Sequence, residues 1–464
     1  METIDLDFAA KACLGRLVKG SPAVPVERVC TDSRQARAGD LFFAIKGGRF
    51  DGHDFIPAVA QNGATAVVVE NSRVPADLPD CAVMAVDDVR QAFGRLAAVY
   101  RNLFDLPVVA VAGSNGKTTT KELIAAVLRQ KFSTLWSEAS FNNDIGVPLT
   151  LLRLEKTHRA AVFEVGTNHP GELAPLLRLI RPQYGVLTNI GREHLEFFGD
   201  IGGVAAEEGW VAEVLPADGT LFVNGDDEWC DRIGQRTRAT TVRVGLGERN
   251  DWCARSIRTT TKGVTFRVDA PRAEYSGEYR IRLLGRHQVL NALLAVAVGE
   301  RLGLDQAEIQ RGLAECQPPK MRLQLWDNGD IRILDDSYNA NADSMLAALQ
   351  VLMDLPCKGR RVAVLGDMAE LGAQAEAAHA EVGRRVAELG VGQLFAVGKM
   401  AAGIARSARE AGLTRVIEFA DVEGAAAALK TLLKPGDVVL LKASRATGLE
   451  RIVNALRDER TGRN

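Results

Sequence analysis

The chain has 464 residues, more than a single hydrophobic core supports, so about three domains are expected at roughly 150 residues each. Apolar residues make up 47% of the chain and charged residues 25%, which is ordinary for a globular protein. The formal net charge of −2 gives no electrostatic case for nucleic acid or an anionic membrane, so neither is expected as a partner.

The N-terminal stretch and the cysteines indicate a cytoplasmic protein. METIDLDFAA has neither the basic nor the apolar region of a signal peptide. No run approaches the ~18 apolar residues that a membrane-spanning helix needs. The seven cysteines are scattered and form no CxxC pair. We therefore expect reduced, buried thiols rather than disulfides or a zinc site.

The first predicted domain covers residues 1–85 and mixes strands with helices. VERVCTDSRQARAGDLFFAIKG indicates short strands around polar turns, and FIPAVAQNGATAVVVE indicates a helix followed by a strand. A helix is predicted next, in VDDVRQAFGRLAAVYRNLF. Its apolar stripe consists of Val89, Phe93, Leu96, Tyr100 and Leu103. We place the first domain boundary just before this helix.

The second predicted domain covers residues 86–317. It opens with LPVVAVAGSNGKTTTKELIAAVLRQKF, which contains an apolar β-branched strand, a glycine-rich turn and a helix. AAVFEVG and YGVLTNIG are further candidates for buried strands, and RHQVLNALLAVAVGERLG is a predicted helix. The alternation of strands and helices predicts a mostly parallel sheet.

The third predicted domain covers residues 318–464 and begins at the paired prolines of QPPKMRLQLW. RVAVLGDMAELG, QLFAVG and DVVLLKAS indicate strands that end in loops, with Ala/Leu-rich helices between them. This pattern predicts a Rossmann-like αβα sandwich. The expected fold class is therefore α/β in three domains: a small mixed α/β domain, a P-loop parallel-sheet domain and a Rossmann-like domain.

AGSNGKTT has the composition and the setting of a phosphate loop. Gly113 and Gly116 allow backbone N–H groups to converge on phosphate oxygens, while Lys117 supplies a cation and Thr118 a hydroxyl for Mg²⁺. The strict GxxxxGK[ST] motif requires glycine where this chain has Val111, so the loop is a shortened variant. ATP or GTP binding is predicted at Gly113, Ser114, Asn115, Gly116, Lys117, Thr118 and Thr119.

Several stretches, taken in chain order, resemble a known family. SFNNDIGVPLTLL, FEVGTNHPGELAPL, LTNIGREHLEFFG and GRHQVLNALLA, together with the phosphate loop, resemble the central domain of the Mur ligases of peptidoglycan synthesis. TDSRQARAGDLFFAIKG and DGHDF resemble the family's uridine-nucleotide domain, and LKASRATGLE its C-terminal domain. DDSYNANADSM and VLGDMAELG resemble the member that adds D-alanyl-D-alanine to UDP-N-acetylmuramoyl-tripeptide.

The resemblance implies an ATP-dependent carboxylate–amine ligase with a UDP-sugar-binding, an ATP-binding and an acceptor-binding domain. Such an enzyme phosphorylates a carboxylate with ATP, an amine attacks the acyl phosphate, and a tetrahedral intermediate expels phosphate. Positioning and charge neutralisation supply most of the catalysis. The resemblance also implies two Mg²⁺ ions, closure of the third domain over the site and a monomeric enzyme.

The family's catalytic positions can be assigned residue by residue. Lys117 corresponds to the lysine on the β/γ-phosphates and Thr118 to a ligand of the first Mg²⁺. Glu164 and His194 correspond to ligands of the second Mg²⁺. A further pair lies where the family stabilises the phosphate and the acyl phosphate, namely Asn142 and Asn143. For the first of these two, a helix cap or turn is the alternative role.

The resemblance also assigns the nucleoside contacts. His287 and Asn291 are spaced i, i+4 and share a helix face, which holds adenine in the family. Gln288 replaces the asparagine that the family commonly has beside the histidine. Arg322 corresponds to the linker arginine that reaches the γ-phosphate, and Asp336 to the acid that binds the ribose.

Two substrate pockets complete the assignment. The acceptor pocket is expected at Tyr338, Asn339, Asn341, Asp367, Lys442, Ser444 and Arg445. The last four of these follow predicted strands, where open α/β sheets bind ligands, and Ala443 replaces the family's usual glycine among them. Ser33 and Arg34 are expected to hold uridine or its diphosphate. Lys46 and His53 are further candidates, and a solvated loop is an equal alternative for the lysine.

One position departs from the family in a way that affects the metal. The helix after HLE usually ends in a lysine before Gly209, and CO₂ carbamylates that lysine to give an anion for the second Mg²⁺. This chain has Glu208 there and no lysine between Lys156 and Lys262, so no carbamylated lysine is expected. A glutamate is shorter than a carbamate by roughly 3–4 Å. It is therefore expected to act through water or a shifted helix, with a solvated helix end as the alternative. Glu207 is expected to be solvated.

Other functions fit the sequence less well. Another Mur ligase, adding a single amino acid, is the nearest rival, and an acceptor assay separates the two. A P-loop ATPase switch would hydrolyse nucleotide without any amine acceptor, and the base-reading NKxD motif of regulatory GTPases is absent from the sequence. GLGERN lacks the full GxGxxG of a dinucleotide enzyme. No motif distinguishes a tripeptide ending in meso-diaminopimelate from one ending in L-lysine.

Overall fold

The computed structural model of the chain describes residues 1–458. They form two compact units. The first unit comprises Met1–Ala110, Phe132–Thr167 and Glu172–Tyr184, and the second comprises Val111–Lys131, Asn168–Gly171 and the chain from Gly185 onward. The domain boundaries after residues 85 and 317 stay predictions. Within residues 1–458, no helix is both long enough and apolar enough to cross a bilayer.

The N-terminal part of the first unit alternates short strands with helices, as the sequence predicts. Its elements are β1 (Ile4–Asp5), α1 (Leu6–Cys13), β2 (Arg16–Lys19), β3 (Pro25–Val26), β4 (Arg28–Cys30), β5 (Asp40–Phe43), α2 (Ile56–Gln61), β6 (Ala66–Glu70), β7 (Ala82–Val86) and α3 (Val89–Arg101). The main sheet runs β2-β7-β6-β5-β4. β2 is antiparallel to β7, and the other neighbours are parallel. Phe42, Val67 and Ile56 belong to the apolar core beneath this sheet.

Helix α3 confirms most of its predicted apolar stripe. Val89, Phe93, Leu96 and Tyr100 are buried. Leu103 lies beyond the end of the helix and is 54% exposed, so its assignment to the buried stripe was wrong. The helical period fails there because the chain leaves the helix after Arg101.

The chain from residue 108 to residue 187 contains the phosphate loop and the carboxylate strand. Its elements are β8 (Val108–Ala112), α4 (Lys117–Leu128), β9 (Thr134–Trp136), α5 (Gly146–Leu151), β10 (Ala160–Glu164), α6 (Leu173–Ile180) and β11 (Tyr184–Leu187). β9 and β10 are parallel neighbours in the first unit. The predicted order of strand, glycine turn and helix at 108–128 is confirmed, as are the strands at AAVFEVG and YGVLTNIG.

The next part of the second unit adds strands and helices up to residue 315. They are α7 (Leu195–Phe198), α8 (Ile201–Glu208), α9 (Trp210–Glu213), β12 (Thr220–Asn224), α10 (Glu228–Gly234), β13 (Thr240–Gly245), β14 (Trp252–Thr260), β15 (Gly263–Asp269), β16 (Gly277–Ile281), α11 (Gln288–Arg301) and α12 (Gln306–Glu315). The strands follow the order β16-β15-β14-β13-β12-β11. β12, β13 and β14 are parallel, whereas β14, β15 and β16 pair antiparallel. The prediction of a mostly parallel sheet missed this antiparallel extension.

The C-terminal part of the second unit has the expected αβα arrangement. Its elements are β17 (Gln324–Asn328), β18 (Ile331–Asp335), α13 (Ala342–Asp354), β19 (Arg361–Gly366), α14 (Ala375–Glu388), β20 (Gln393–Val397), α15 (Ala401–Glu410), β21 (Val416–Phe419), α16 (Val422–Leu432), β22 (Val438–Lys442) and α17 (Glu450–Asp458). The sheet order is β17-β18-β22-β19-β20-β21, parallel except at β17. Val362 and Val364 pack into a core with helices α16 and α17. Ala363 and Leu365 alternate with them and are also buried, so both faces of the sheet are covered.

The seven cysteines are free, and six of them are buried while Cys357 is partly buried. Burial raises the pKa of the Cys13 thiol to about 12, which keeps it protonated and unreactive at neutral pH.

Candidate active site

The loop between β8 and α4 has the backbone geometry of an anion-binding turn. Gly113 and Gly116 have φ angles of +114° and +84°, which L-residues rarely adopt. Their surroundings leave no room for a side chain. A Cβ at the first glycine would lie 2.4 Å from Thr188 Oγ1, and one at the second would lie 2.7 Å from Asn291 Oδ1. Helix α4 begins at the next residue, Lys117, so its N-terminus faces this turn.

Polar contacts hold the loop in place. Lys117 Nζ donates to the Gly113 carbonyl and to the Ser114 carbonyl at 3.2 Å, and it lies 3.4 Å from Glu193 Oε2. The N–H of Asn115 donates to Asn189 Oδ1 at 3.0 Å. The side chains of Thr118 and Thr119 are buried in the first turn of α4. The lysine therefore stays over the loop in which phosphates would bind.

Glu208 lies against the phosphate loop rather than in solvent. It is 1% exposed, and its Oε2 accepts the N–H of Gly113 at 2.7 Å. Among residues 1–458, its Oε1 has no hydrogen-bond partner. Burial raises the pKa of this carboxyl, the nearby Lys117 lowers it, and Glu193 raises it further. The alternative of a solvated helix end is therefore wrong.

Glu207 also differs from its expectation. It is only 6% exposed, and its Oε2 accepts the N–H of Gly171 at 2.9 Å. The prediction that this residue is solvated was wrong because the end of α8 is covered by other parts of the second unit. Both members of the acidic pair are thus buried.

His194 is held by a carboxylate that the sequence analysis did not identify. It precedes α7 with a φ of +48°, and its Nδ1 is hydrogen-bonded to Glu370 Oε2. Its Nε2 lies 3.9 Å from Glu193 Oε2. Two glutamates near His194 could have been noticed in the sequence. Glu193 precedes the histidine directly, and Glu370 belongs to the DMAELG stretch.

The first unit contains the remaining candidates for catalysis. Glu164 ends β10, is 1% exposed, and accepts a hydrogen bond from Asn142 Nδ2 at 2.9 Å through Oε1. Its Oε2 is buried and has no hydrogen-bond partner within the described part of the chain. Asn143 Oδ1 accepts the N–H groups of Ile145 at 3.2 Å and Gly146 at 2.9 Å. Asn143 thus makes the side-chain turn that precedes α5, whereas the side chain of Asn142 binds Glu164.

The nucleoside candidates are linked by side-chain contacts in the second unit. The Nε2 atom of Gln288 lies 3.0 Å from the Nε2 atom of His287. The Oε1 atom of Gln288 accepts a hydrogen bond from Asn291 Nδ2 at 2.7 Å. Burial lowers the pKa of His287 to about 4, so its imidazole is neutral at physiological pH. A neutral ring beside two amides offers both donors and acceptors, as recognition of a purine edge requires.

Asp336 and Lys442 form a buried ion pair. The carboxylate accepts from Lys442 Nζ at 2.6 Å and from the N–H of Leu323 at 3.1 Å. The same ammonium group donates to the carbonyl of Asn339 at 3.0 Å. The predicted ribose and acceptor residues therefore meet at the end of β18 and β22.

Other acceptor candidates cluster around the same loops. The Arg322 guanidinium lies 4.3 Å from the centre of the Tyr338 ring, and the Arg445 guanidinium lies 5.9 Å from it. Asn341 caps helix α13, and its Nδ2 donates to Asn115 Oδ1 of the phosphate loop at 3.0 Å. The cap means that part of this side chain is already committed to the fold.

Asp367 and Ser444 hold neighbouring loops of the C-terminal part together. The Asp367 carboxylate accepts the N–H groups of Lys399 at 3.0 Å and Met400 at 2.9 Å. Ser444 is 2% exposed, and its N–H donates to the Asp367 carbonyl at 2.8 Å. These contacts place both residues at one edge of the C-terminal sheet.

The uridine candidates differ in accessibility. Arg34 is exposed and pairs with Asp32, while Ser33 is partly buried and Lys46 is exposed. His53 is buried, with Nδ1 2.7 Å from an oxygen of Asp51 and Nε2 accepting the N–H of Glu70 at 3.1 Å. Since both ring nitrogens are engaged, the histidine orders its loop.

Comparison with known protein families gives three matches along the chain. Residues 25–101 match the model described as Mur ligase family, catalytic domain, and residues 111–299 match the Mur ligase middle domain. Residues 321–445 match the model described as Mur ligase, glutamate ligase domain. The matches therefore extend over the N-terminal, central and C-terminal parts of the chain.

Individual relatives match over nearly the whole length. The UDP-N-acetylmuramoyl-tripeptide--D-alanyl-D-alanine ligase of Escherichia coli (strain K12) is 39% identical, with 94% of this chain and 95% of that protein covered. The corresponding ligase of Bacillus subtilis (strain 168) is 34% identical, with 96% and 97% covered. A crystal structure of MurF from Acinetobacter baumannii is 33% identical, with a TM-score of 0.89 and 99% of both chains covered. MurF ligase from Thermotoga maritima, solved in complex with ADP, is 28% identical with a TM-score of 0.81, covering 95% of this chain and 99% of that one.

The glycine loop, its lysine and the surrounding α/β architecture define a P-loop nucleotide-binding protein. Relatives above 30% identity match nearly the whole chain, and they identify the family within this class of proteins. The chain belongs to the Mur ligase family, and its fold is the three-domain α/β fold of that family.

Proposed function

We propose that the chain joins D-alanyl-D-alanine to UDP-N-acetylmuramoyl-tripeptide with ATP, giving the UDP-linked pentapeptide precursor of peptidoglycan, ADP and phosphate. The observation that carries this proposal is the 39% identity over 94% of the chain to a relative named for that reaction. The phosphate loop supports the use of a nucleotide, and the ADP complex of the Thermotoga maritima relative supports ATP. The chain is thus an ATP-dependent carboxylate–amine ligase.

The reaction balances in two steps. An oxygen of the tripeptide carboxylate attacks the γ-phosphorus of ATP, and ADP leaves. The dipeptide amine then attacks the acyl carbon, loses a proton, and the tetrahedral intermediate expels phosphate as the amide forms. Lys117 and the N–H groups of the loop stabilise charge on the transferring phosphoryl group. Asn142 and Asn143 would orient the acyl phosphate.

Within residues 1–458, no three His, Cys, Asp or Glu side chains converge on one point, so a divalent ion bound here would depend on water and phosphate oxygens as well as on protein oxygens. Hard cations prefer oxygen ligands, and Mg²⁺ keeps several waters. Within residues 1–458, three buried carboxylate oxygens have no hydrogen-bond partner. Two of them belong to predicted metal ligands, namely Glu208 Oε1 in the second unit and Glu164 Oε2 in the first, and the third is Glu450 Oε2. In the second unit, Thr118, His194 and Glu208 would hold Mg²⁺, directly or through water. Glu164 of the first unit keeps an oxygen that would suit an ion of the same kind. When bound, Mg²⁺ neutralises charge on the phosphates.

Glu208 supplies its anion without any modification. Its Oε2 already accepts the N–H of Gly113, so Oε1 is the atom that remains for a metal or its water. Burial raises the pKa of the Glu208 carboxyl to about 7, while the nearby Lys117 lowers it. A bound cation would favour the ionised form, which would then take the place of the family's carbamylated lysine. A metal bound here would also offset the cost of keeping this carboxylate ionised in a buried position.

The binding of nucleoside and substrates is assigned as follows. His287 and Asn291 contact adenine, Asp336 the ribose, and Arg322 the γ-phosphate. Ser33, Arg34 and Lys46 bind the uridine diphosphate part, with His53 ordering the loop beside them. The acceptor dipeptide is bound by Tyr338, Asn339, Asn341, Asp367, Lys442, Ser444 and Arg445. The enzyme acts in the cytoplasm, where UDP-linked substrates, ATP and free thiols occur together, and it works as a monomer.

Phosphate release tests the proposed reaction against its rivals. Purified protein with ATP, Mg²⁺ and a UDP-tripeptide is supplied with D-alanyl-D-alanine, L-lysine or meso-diaminopimelate as acceptor. We expect phosphate release that requires the dipeptide. Release that requires a single amino acid instead would identify another ligase of the family, and release without any acceptor would identify an ATPase switch.

A further inference from the structure

We infer that Glu370 is a positioning residue for His194, because it holds the Nδ1–H of the imidazole and so directs the Nε2 lone pair toward the divalent cation of the nucleotide complex. The inference deepens the proposed function, since it rests on His194 as a metal ligand. The observation that carries it is the hydrogen bond between His194 Nδ1 and Glu370 Oε2.

The backbone at both ends of this contact has a strained conformation. His194 has a φ of +48° and Glu370 a φ of +61°, and both are L-residues in the left-handed region. Such a conformation is unfavourable for an L-residue because Cβ approaches the following carbonyl oxygen. Strain of this kind is retained at functional sites where neighbouring structure fixes it. Here, two strained residues 176 positions apart in the sequence face one another.

Neighbouring contacts fix Glu370 in front of the histidine. The carbonyl of Glu370 accepts the N–H of Glu196 at 3.1 Å. A Cβ added at Gly372 would lie 3.0 Å from the Cα of Glu196, so the two backbones are in close contact. Leu371, between these residues, is buried. The backbone that carries this partly exposed carboxylate is therefore anchored in front of the histidine.

The histidine is fixed from its own side as well. The N–H groups of Phe197 and Phe198 donate to the His194 carbonyl at 2.9 and 3.1 Å. The ring of Phe198 lies 6.4 Å from the imidazole, centre to centre, in an edge-on arrangement. These contacts restrict the ring, and the hydrogen bond at Nδ1 then determines which nitrogen carries the proton.

The consequence for metal binding follows from imidazole chemistry. A neutral imidazole has one N–H donor and one lone pair, so a carboxylate acceptor at Nδ1 leaves the lone pair on Nε2. Metal-binding histidines commonly donate their other N–H to a carboxylate, which fixes the tautomer and the ring orientation. Nε2 faces Glu193, which lies 3.4 Å from Lys117 of the phosphate loop. Nε2 therefore lies on the side of the imidazole that faces Glu193, the ion-pair partner of the phosphate-loop lysine.

Glu370 also connects the metal ligand to the C-terminal part of the chain. Glu370 follows β19, in the part of the chain that matches the glutamate ligase domain. His194 follows β11, in the part that matches the middle domain. Arg192 makes a second connection between the same parts, since it binds Asp343 and Glu381, each at 2.6 Å. Within residues 1–458, no hydrogen bond or ion pair joins this cluster to the histidine ring, so the cluster provides a matched control.

Manganese binding tests the inference without relying on ligase activity. The affinity for Mn²⁺ is measured by electron paramagnetic resonance on the full chain with a non-hydrolysable ATP analogue. We expect Glu370→Ala to weaken Mn²⁺ binding about 10- to 100-fold, the range for lost outer-shell partners of metal ligands. Glu370→Gln should retain most of the affinity, because its amide oxygen still accepts the Nδ1–H. Glu381→Ala should leave Mn²⁺ binding unchanged.

Three results would overturn the assignment: unchanged Mn²⁺ affinity in Glu370→Ala, an equal loss in Glu381→Ala, or a loss in Glu370→Gln as large as in the alanine variant. Thermal unfolding of each variant establishes that it is folded, and binding of the ATP analogue in EDTA establishes that the nucleotide site is intact. Failure of the proposed function would appear separately, as wild-type protein that binds Mn²⁺ normally but transfers no dipeptide.

Discussion

Substituting Gly116 with alanine tests whether the glycine loop is shaped for phosphate. The glycine has a φ of +84°, and an added Cβ would lie 2.7 Å from Asn291 Oδ1. The left-handed conformation costs an L-residue ~1–2 kcal/mol. Moving Asn291 aside also breaks its 2.7 Å hydrogen bond to Gln288, worth about 1 kcal/mol.

Together these costs amount to about 2–3 kcal/mol, or roughly 30- to 150-fold in an equilibrium constant. We expect the loop to relieve this strain by leaving its binding conformation, so the affinity for an ATP analogue should fall by up to that factor in Gly116→Ala. Isothermal titration calorimetry measures the affinity, and thermal unfolding measures the stability of the protein without nucleotide.

Gly303→Ala is the matched control. This glycine has a φ of +79°, and no atom lies within 4 Å of an added Cβ, so it reproduces the backbone cost without the clash. The control should lose stability and bind the ATP analogue as the wild type does. If Gly116→Ala binds the analogue within twofold of the wild type, or if the control loses affinity equally, the loop geometry does not determine nucleotide binding.

Three further outcomes follow from buried charges. Since burial lowers the pKa of His287 to about 4, the unfolded chain takes up a proton before the folded chain does. Stability should therefore fall as pH drops from about 6.5 toward 4, by up to about 3 kcal/mol, in the wild type. Urea unfolding should show a shallower fall in His287→Gln, and equal slopes would contradict the assignment. Lys442→Ala should lower the free energy of unfolding by about 3–5 kcal/mol because it leaves Asp336 buried without its ion pair. The double variant, with alanine also at Asp336, should lose less stability. A loss below about 1 kcal/mol in Lys442→Ala would argue against the ion pair. Glu208→Gln should weaken Mg²⁺-dependent turnover at least about tenfold. Bicarbonate should have no effect on turnover by the wild type. Intact Mg²⁺ dependence in the variant would exclude a role for Glu208 as a metal ligand.

The local parts of the fold could be predicted from the sequence because short-range chemistry determines them. The β-branched run before Gly113 and the Lys-Thr-Thr start of α4 indicated strand, turn and helix, and the structure has all three. The antiparallel strands β14–β16 were missed because RSIRTTTKGVTFRVD is rich in Arg and Thr. The alternation of buried and exposed residues on either side of its Lys-Gly turn, which is typical of a β-hairpin, was not recognised. Period-2 patterns with exposed polar faces are weaker signals than apolar runs.

Long-range contacts explain what the sequence could not supply at the site. Glu207 was expected in solvent, but it is buried, and its carboxylate accepts the N–H of Gly171, 36 residues away in the sequence. Glu370 pairs with His194 across 176 positions, and no local pattern encodes such a contact. The shorter reach of Glu208 suggested an indirect role, and the structure shows how the fold brings its carboxylate directly to the loop at Gly113.

The mass of the reaction product tests the central claim most directly. The protein is incubated with ATP, Mg²⁺, D-alanyl-D-alanine and UDP-N-acetylmuramoyl-tripeptide ending in either meso-diaminopimelate or L-lysine. We expect one UDP-tripeptide to gain the mass of the dipeptide less water, with ADP and phosphate formed in equal amounts. If neither UDP-tripeptide gains the dipeptide, the chain does not catalyse the proposed ligation.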